Sequence, residues 1–207
     1  GITGVLPIGI TNNNWSNLSA NYDNYKNADD SITLKVISNN KDKGFDTEKG
    51  NFFALDLNYN TDDKGGGADV YRTYIAYGYS RPLYLDDVRA TETGNMVGPT
   101  NQGLYSNKNP TGRLVGNSCT IDPITKTIIH KCGCQDRDCP RVAYVPVFEP
   151  VDGDLSGKTD VRIVGFLPFF IIDANNQGEV SGIFLDDVMS DGIPGDYTTP
   201  DYGVHAV

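Results

Sequence analysis

Apolar and polar residues alternate with a period of two through much of the chain. In SITLKVIS, residues 31–38, Ile32, Leu34 and Val36 fall opposite Thr33, Lys35 and Ile37. In NFFALDLNY, residues 51–59, Phe53, Leu55, Leu57 and Tyr59 oppose Phe52, Ala54, Asp56 and Asn58. Residues 141–151, 159–172 and 179–185 carry similar patterns. Each reads as a β-strand, because successive side chains of a strand leave opposite faces. Clusters of Gly, Asn and Asp lie between them (NNKDKG, TDDKGGG, VDGDLSG, DANNQG) and mark turns. One segment breaks the rhythm. In ADVYRTYIAYG, residues 68–78, Val70, Tyr74 and Tyr77 recur at helical spacing beside Ile75, and Gly78 can end the helix. The pattern predicts a mainly β protein in a single domain: an antiparallel sandwich or barrel-like sheet with one short helix.

Composition narrows the partners. With 207 residues, 38% hydrophobic and 21% charged, the chain can bury one sizeable core, and its 23 Gly and 11 Pro suit a turn-rich fold. A net charge of −10 leaves no basic surface to neutralise phosphates, so no nucleic-acid partner is expected. The longest apolar run, VGFLPFFII, is interrupted by Gly165 and Pro168 and is too short to span a membrane. The chain opens directly in a strand-like segment, GITGVLPIGI, so an upstream piece is expected to have been removed. Many Tyr, Asn and Asp with few Met suit an extracellular protein.

Four cysteines, Cys119, Cys132, Cys134 and Cys139, crowd into a short stretch. An even count in an acidic, turn-rich chain favours disulfides, with a closed Cys₄ zinc site as the alternative. On an extended strand Cys132 and Cys134 would lie about 6.6 Å apart, too far to bond without strain. The expected bridges therefore join Cys119 to one of them and Cys139 to the other. CTIDPITKTIIHKC between them reads as a hairpin turning at DPIT, a disulfide-stapled hairpin overall.

Other motifs carry less chemistry. ETGNMVGPTNQGL, residues 92–104, has the glycines of a phosphate loop, but Pro99 follows Gly98 and no Lys comes before Lys108. Without those backbone donors and that ammonium, it reads as a shaped loop. His130 and His205 are the only histidines, and disulfide-bonded thiols would leave neither a nucleophile to activate. Asp86-Asp87 and Asp186-Asp187 are adjacent, so on a strand their carboxylates diverge. No catalytic residue is expected. DANNQGE spaces Asp173, Asn175 and Gln177 as calcium ligands, but Phe184 stands where an EF-hand loop needs Glu, and a hairpin turn competes. VDGD and DGIPGD are acidic loops that could hold a weakly bound calcium ion, with a plain solvated loop as the default.

The motifs in order are PIGI, GNFFALDL, GGGADVYRTYIAYGYSRPL, ETGNMVGPTNQGL, CPRVAYVPVFEP, VRIVGFLPFFI and SGIFL. Together they resemble the exported soluble region of TadE/TadG-like proteins, linked to Flp-type (tight-adherence) pilus assembly in Gram-positive bacteria. The likeness runs from about Pro7 to Leu185, and the segment around Gly94, Asn95, Gly98, Pro99 and Thr100 is its most specific part. The resemblance implies a cell-surface protein that acts by assembly and offers no catalytic residues. The chain departs from it by lacking a membrane helix, by the insert NYNTDDK, and by a C-terminal extension over 186–207. The function expected is a subunit or assembly component of a pilus-like or tubular filament, with copies of itself or other envelope proteins as partners. Ile2, Val5, Leu6, Ile8 and Ile10 in residues 1–10 would form a strand donated to a neighbour's sheet edge, against the plainer reading that they pair within their own sheet. The alternative is an adhesin-like module that binds calcium or glycans, with Tyr71, Tyr74, Tyr77, Tyr79 and Tyr84 as a sugar-stacking face.

Overall fold

The longest strand organises the molecule. A computed structural model describes residues 1–37, 51–59, 67–134, 138–153, 155 and 157–185. Its elements run β1 (Ile8–Thr11), α1 (Asn12–Ala20), α2 (Tyr22–Tyr25), β2 (Ile32–Ile37), β3 (Asn51–Asp56), α3 (Ala68–Tyr77), β4 (Val88–Thr91) and α4 (Val97–Tyr105). Then follow β5 (Thr120–Ile121), β6 (Ile128–Ile129), β7 (Val142–Pro150), β8 (Asp160–Ala174) and β9 (Glu179–Phe184). Strand outweighs helix, 35% to 21%, so the fold is mainly β. β8 lies along β7 on one edge, and its other edge takes β4 near the start and β9 near the end.

The strands close on themselves. β1 pairs with β7, β7 with β8, β8 with β4, β4 with β3, and β3 with β1, a closed barrel of five strands. β2 and β9 make a second route from β3 to β8. The barrel form of the expected sheet is therefore the one found, and no pair of facing sheets is seen among the described residues. The expectation of antiparallel pairing also needs correction, since β1 runs parallel to β7 and β2 parallel to β3. Closure removes the open edges that would otherwise recruit another chain.

Burial on both faces explains why alternation looked incomplete. On β3, Phe52 and Ala54 join the larger apolar cluster while Leu55 joins a second one with Val5, Tyr79, Leu83 and Phe148. Neither face of β3 meets water, so no polar face appears. On β8, Val161 and Ile163 face the second cluster, whereas Leu167, Phe169 and Ile171 face the first. The switch comes from one extra residue. Val147 pairs with Gly165 but Phe148 pairs with Ile163, leaving Val164 unpaired as a bulge that shifts the pleat by one.

Four helices are present among the described residues where one was expected. In α1, the Thr11 hydroxyl accepts from the Asn14 amide at 3.1 Å and caps the first turn, and Trp15 and Leu18 are buried. Its Asn- and Ser-rich sequence has low helix propensity, so the cap and these two anchors hold it through tertiary packing. α3 ends at Gly78 as expected, but its buried face is Tyr71, Ile75 and Ala76 rather than the Val70, Tyr74 and Tyr77 set. Tyr77 points outward, 60% exposed. Residues 92–104 also differ from the expected loop, because most of them form α4. There Thr100 is fully buried, its hydroxyl donating to the Met96 carbonyl at 2.7 Å and lying 3.0 Å from the Tyr71 hydroxyl.

Gly103 sets how closely α3 and α4 approach. A Cβ there would fall 2.5 Å from Ile75 Cβ and 2.8 Å from the Arg72 carbonyl oxygen, whereas one at Gly98 would meet open space. Gly103→Ala is therefore expected to destabilise the protein by about 1–3 kcal/mol, and Gly98→Ala by about 1 kcal/mol or less. Urea denaturation midpoints of the two variants check the contrast.

Candidate metal centre

The cysteine loop sits at the end of the barrel where β7 begins. Cys119 and Cys139 are buried with Val142, Phe170 and Leu185, and Cys132 and Cys134 pack against them. The expected hairpin is present as β5 and β6, turning through Asp122–Thr125. Asp122 Oδ1 accepts from the amides of Ile124 at 2.8 Å and Thr125 at 3.0 Å. Those two donors, Thr125 first, hold the Asp122 carboxyl below its ordinary pKa range.

The expected bridges are not the ones found. Cys132 and Cys134 are bonded to each other, and Cys119 and Cys139 are free thiols. The Gly133 backbone, at φ 73°, curls the strand and brings the two Cα atoms to 5.4 Å, so the extended spacing assumed for them does not apply. Cys119 Sγ lies 3.5 Å from Cys134 Sγ, and His130 Nδ1 lies 3.3 Å from the same sulfur. The donor atoms of Cys119, His130, Cys132, Cys134 and Cys139 all fall within 4.8 Å of one another. Four sulfurs and an imidazole converge there.

The surroundings pull the two free thiols in opposite directions. Burial opposes the charged form of Cys119, but the amides of Lys131 and Cys132, the Cys139 thiol and the Arg141 charge outweigh it and hold its pKa below the ordinary value. Cys139 is held above its ordinary value by burial and by the neighbouring Cys119, against the donating Arg141 amide. The imidazole meets the sulfur of Cys134, which is bonded to Cys132, and both free thiols are buried.

Arg141, from the CPR motif, clamps this loop to the barrel. Its Nη2 donates to the Asn117 carbonyl at 2.8 Å and its Nε to Asn117 Oδ1 at 3.1 Å. Its Nη1 donates to the carbonyls of Ile172 at 2.8 Å and Ile171 at 3.1 Å on β8. Arg113 performs a similar task nearby, donating from Nε to the Ile75 carbonyl at 2.7 Å and from Nη1 to the Pro140 carbonyl at 2.9 Å. Burial lowers the Arg113 pKa to about 10, which leaves it a cation at neutral pH. Neither arginine was singled out from the sequence, where only the CPR spelling hinted at Arg141.

Other expected sites are not assembled. Asn175 Oδ1 accepts from the amides of Gln177 at 2.9 Å and Glu179 at 3.2 Å, and Asp173 accepts from the Tyr105 hydroxyl and the Ala174 amide. Asn175 thus builds the turn between β8 and β9, while Asp173 ties the end of β8 to Tyr105 of α4. Of the five tyrosines, Tyr71 and Tyr79 are core, Tyr74 stacks edge-on against Tyr79, and only Tyr77 and Tyr84 are exposed. Ile2, Val5, Leu6, Ile8 and Ile10 are buried within their own barrel, the plainer of the two arrangements expected for residues 1–10. Asp87 accepts from Arg89 Nη2 at 3.0 Å while Asp86 faces solvent, so that pair is no dyad. NNKDKG, most of TDDKGGG, Asp154 of VDGD, DGIPGD, Asp186-Asp187, His205 and the 186–207 extension lie outside the described residues.

Comparisons of the chain with protein families, with curated proteins and with solved structures found no match.

Two outcomes follow from this geometry. Arg141→Lys keeps the charge but loses the planar fork, so it is expected to cost about 1.5–3 kcal/mol and to speed labelling of Cys119 and Cys139 by a thiol reagent. Acid is expected to loosen the hairpin. The folded pKa of Asp122 lies below the unfolded value of about 3.9, so its contribution is complete above that pH and is lost as pH falls through the folded value. The protection of the Ile124 and Thr125 amides against hydrogen exchange, taken relative to the free-peptide rate at each pH, should fall in that acidic window in the parent and be low at every pH in Asp122→Ala.

Proposed function

We propose that this barrel is a structural, non-enzymatic subunit or assembly component of a pilus-like or tubular filament outside the bacterial cell, joined to copies of itself by strand exchange. The observation that carries this reading is the seat of residues 1–11. β1 fills the slot between β3 and β7, with Ile8 paired to Ala54 on one side and Ile10 to Val147 on the other. Ahead of it, the Ile2 and Leu83 amides each donate to the other residue's carbonyl, and the Leu6 amide donates to the Tyr144 carbonyl at 2.8 Å. Every copy carries the same slot and the same strand, so a neighbour's segment would make the same hydrogen bonds and fill the same positions. Because these side chains are sealed from water in the closed barrel, exchange would have to occur during folding, before the ring shuts. The resemblance of the motif order to TadE/TadG-like proteins favours a surface setting.

Refolding at low and at high protein concentration, followed by light scattering and electron microscopy, tests the proposal. Monomers from dilute refolding and oligomers or filaments from concentrated refolding are expected, with a chain lacking residues 1–10 unable to propagate them. Monomers at every concentration would end the proposal, as would filaments that form equally well without residues 1–10.

A further inference from the structure

We propose that the four cysteines of this loop bind one zinc ion as a tetrathiolate, with His130 outside the ligand set as a hydrogen-bond donor to Cys134. The site does not depend on strand exchange. Its first support is convergence, since all the donor atoms fall within 4.8 Å of one another. Zinc with Zn–S bonds of about 2.3 Å places tetrahedral sulfurs roughly 3.8 Å apart, and Cys119 and Cys134 already stand at 3.5 Å. The second support is the shell around the sulfurs. The Lys131 and Cys132 amides point at Cys119, and the Arg141 amide at Cys139. Such N–H groups spread the charge of a metal-bound thiolate and fix its direction. Arg141 adds a positive charge beside a centre that would carry two negative ones.

His130 is assigned the outer role because its Nδ1 lies against a sulfur that is itself a ligand. Among the described residues no carboxylate enters the cluster. Soft thiolates in a closed tetrahedron favour zinc over the oxygen-seeking calcium or magnesium. A closed set leaves no position for water or substrate, so the ion would be structural. It would fasten the β5–β6 hairpin, with the 85% exposed Ile124 at its tip, to the start of β7.

Zinc and the Cys132–Cys134 bond exclude each other. A dithiol reductant transfers two electrons and two protons to the bridge and becomes a disulfide itself, leaving Cys132 and Cys134 as thiols. Zinc then takes an electron pair from each of four sulfurs as four protons pass to solvent. Metal loading should therefore require the reduced chain.

The whole chain, reduced with a dithiol and freed of excess reagent, would be titrated with zinc and weighed by native mass spectrometry. One zinc per chain is expected, with all four cysteines protected from alkylation until a chelator is added. Cobalt in place of zinc should give the intense visible absorption of a tetrahedral tetrathiolate. That spectrum should persist in His130→Ala and be lost or weakened in Cys119→Ser and Cys139→Ser. Because a cysteine variant can misfold, the alkylation result on the parent stands as the independent readout. Reduced protein that binds no stoichiometric zinc, or four thiols that alkylate equally fast with and without it, would overturn the site. Loss of the cobalt spectrum in a folded His130→Ala would overturn the tetrathiolate assignment.

Discussion

Closure of the barrel by β1 is the constraint on which the other features rest. A strand of four residues would ordinarily be too short to hold itself in place, yet here it is paired on both edges and buried on both faces. Ile8 and Ile10 enter the larger cluster, each worth about 1.5–3 kcal/mol on full burial. Between them Gly9 leaves room for the opposite face to close. A Cβ there would lie 2.7 Å from a Leu55 methyl and 2.9 Å from the Phe148 ring. With β1 absent, β3 and β7 would each present an unpaired edge, and Leu55 and Phe148 would face water.

The same logic of fastening distant segments recurs at the barrel's end, with cations in place of apolar side chains. At the two sides of this contact, the carbonyls of Asn117 in the cysteine loop and of Ile171 and Ile172 on β8 all take donors from one side chain. Arg141 supplies those donors in a planar fork, and Arg113 ties α3 to the residues just before β7. The sulfurs converge because both ends of their loop are pinned in this way. Architecture and candidate chemistry are one arrangement at this site.

Much of the sheet could be read from the sequence, and the reasons for the failures are physical. β2 alternates visibly because Lys35 meets water while Ile32 and Leu34 do not. β3 hid its setting because both faces are covered, which local alternation cannot distinguish from a half-buried strand. The bulge at Val164 left no mark beyond the neighbouring Gly165. α1 and α4 were missed because Asn, Ser, Gly and Pro are poor helix formers, and only contacts with distant strands and with α3 hold them. The cysteine cluster was found as a group, but its pairing depended on the backbone at Gly133, and spacing alone assumed an extended strand there. His130 was seen beside the cluster, though not in contact with it.

Native-state hydrogen exchange measures the closing strand most directly. If β1 completes the barrel, the amides of Ile8 and Ile10, on the edge that faces β7, should exchange no faster than those in the centre of β7 and β8, and only through global unfolding. Exchange of those two amides many-fold faster, while β7 and β8 stay protected, would show a strand that peels away by itself and would contradict the account.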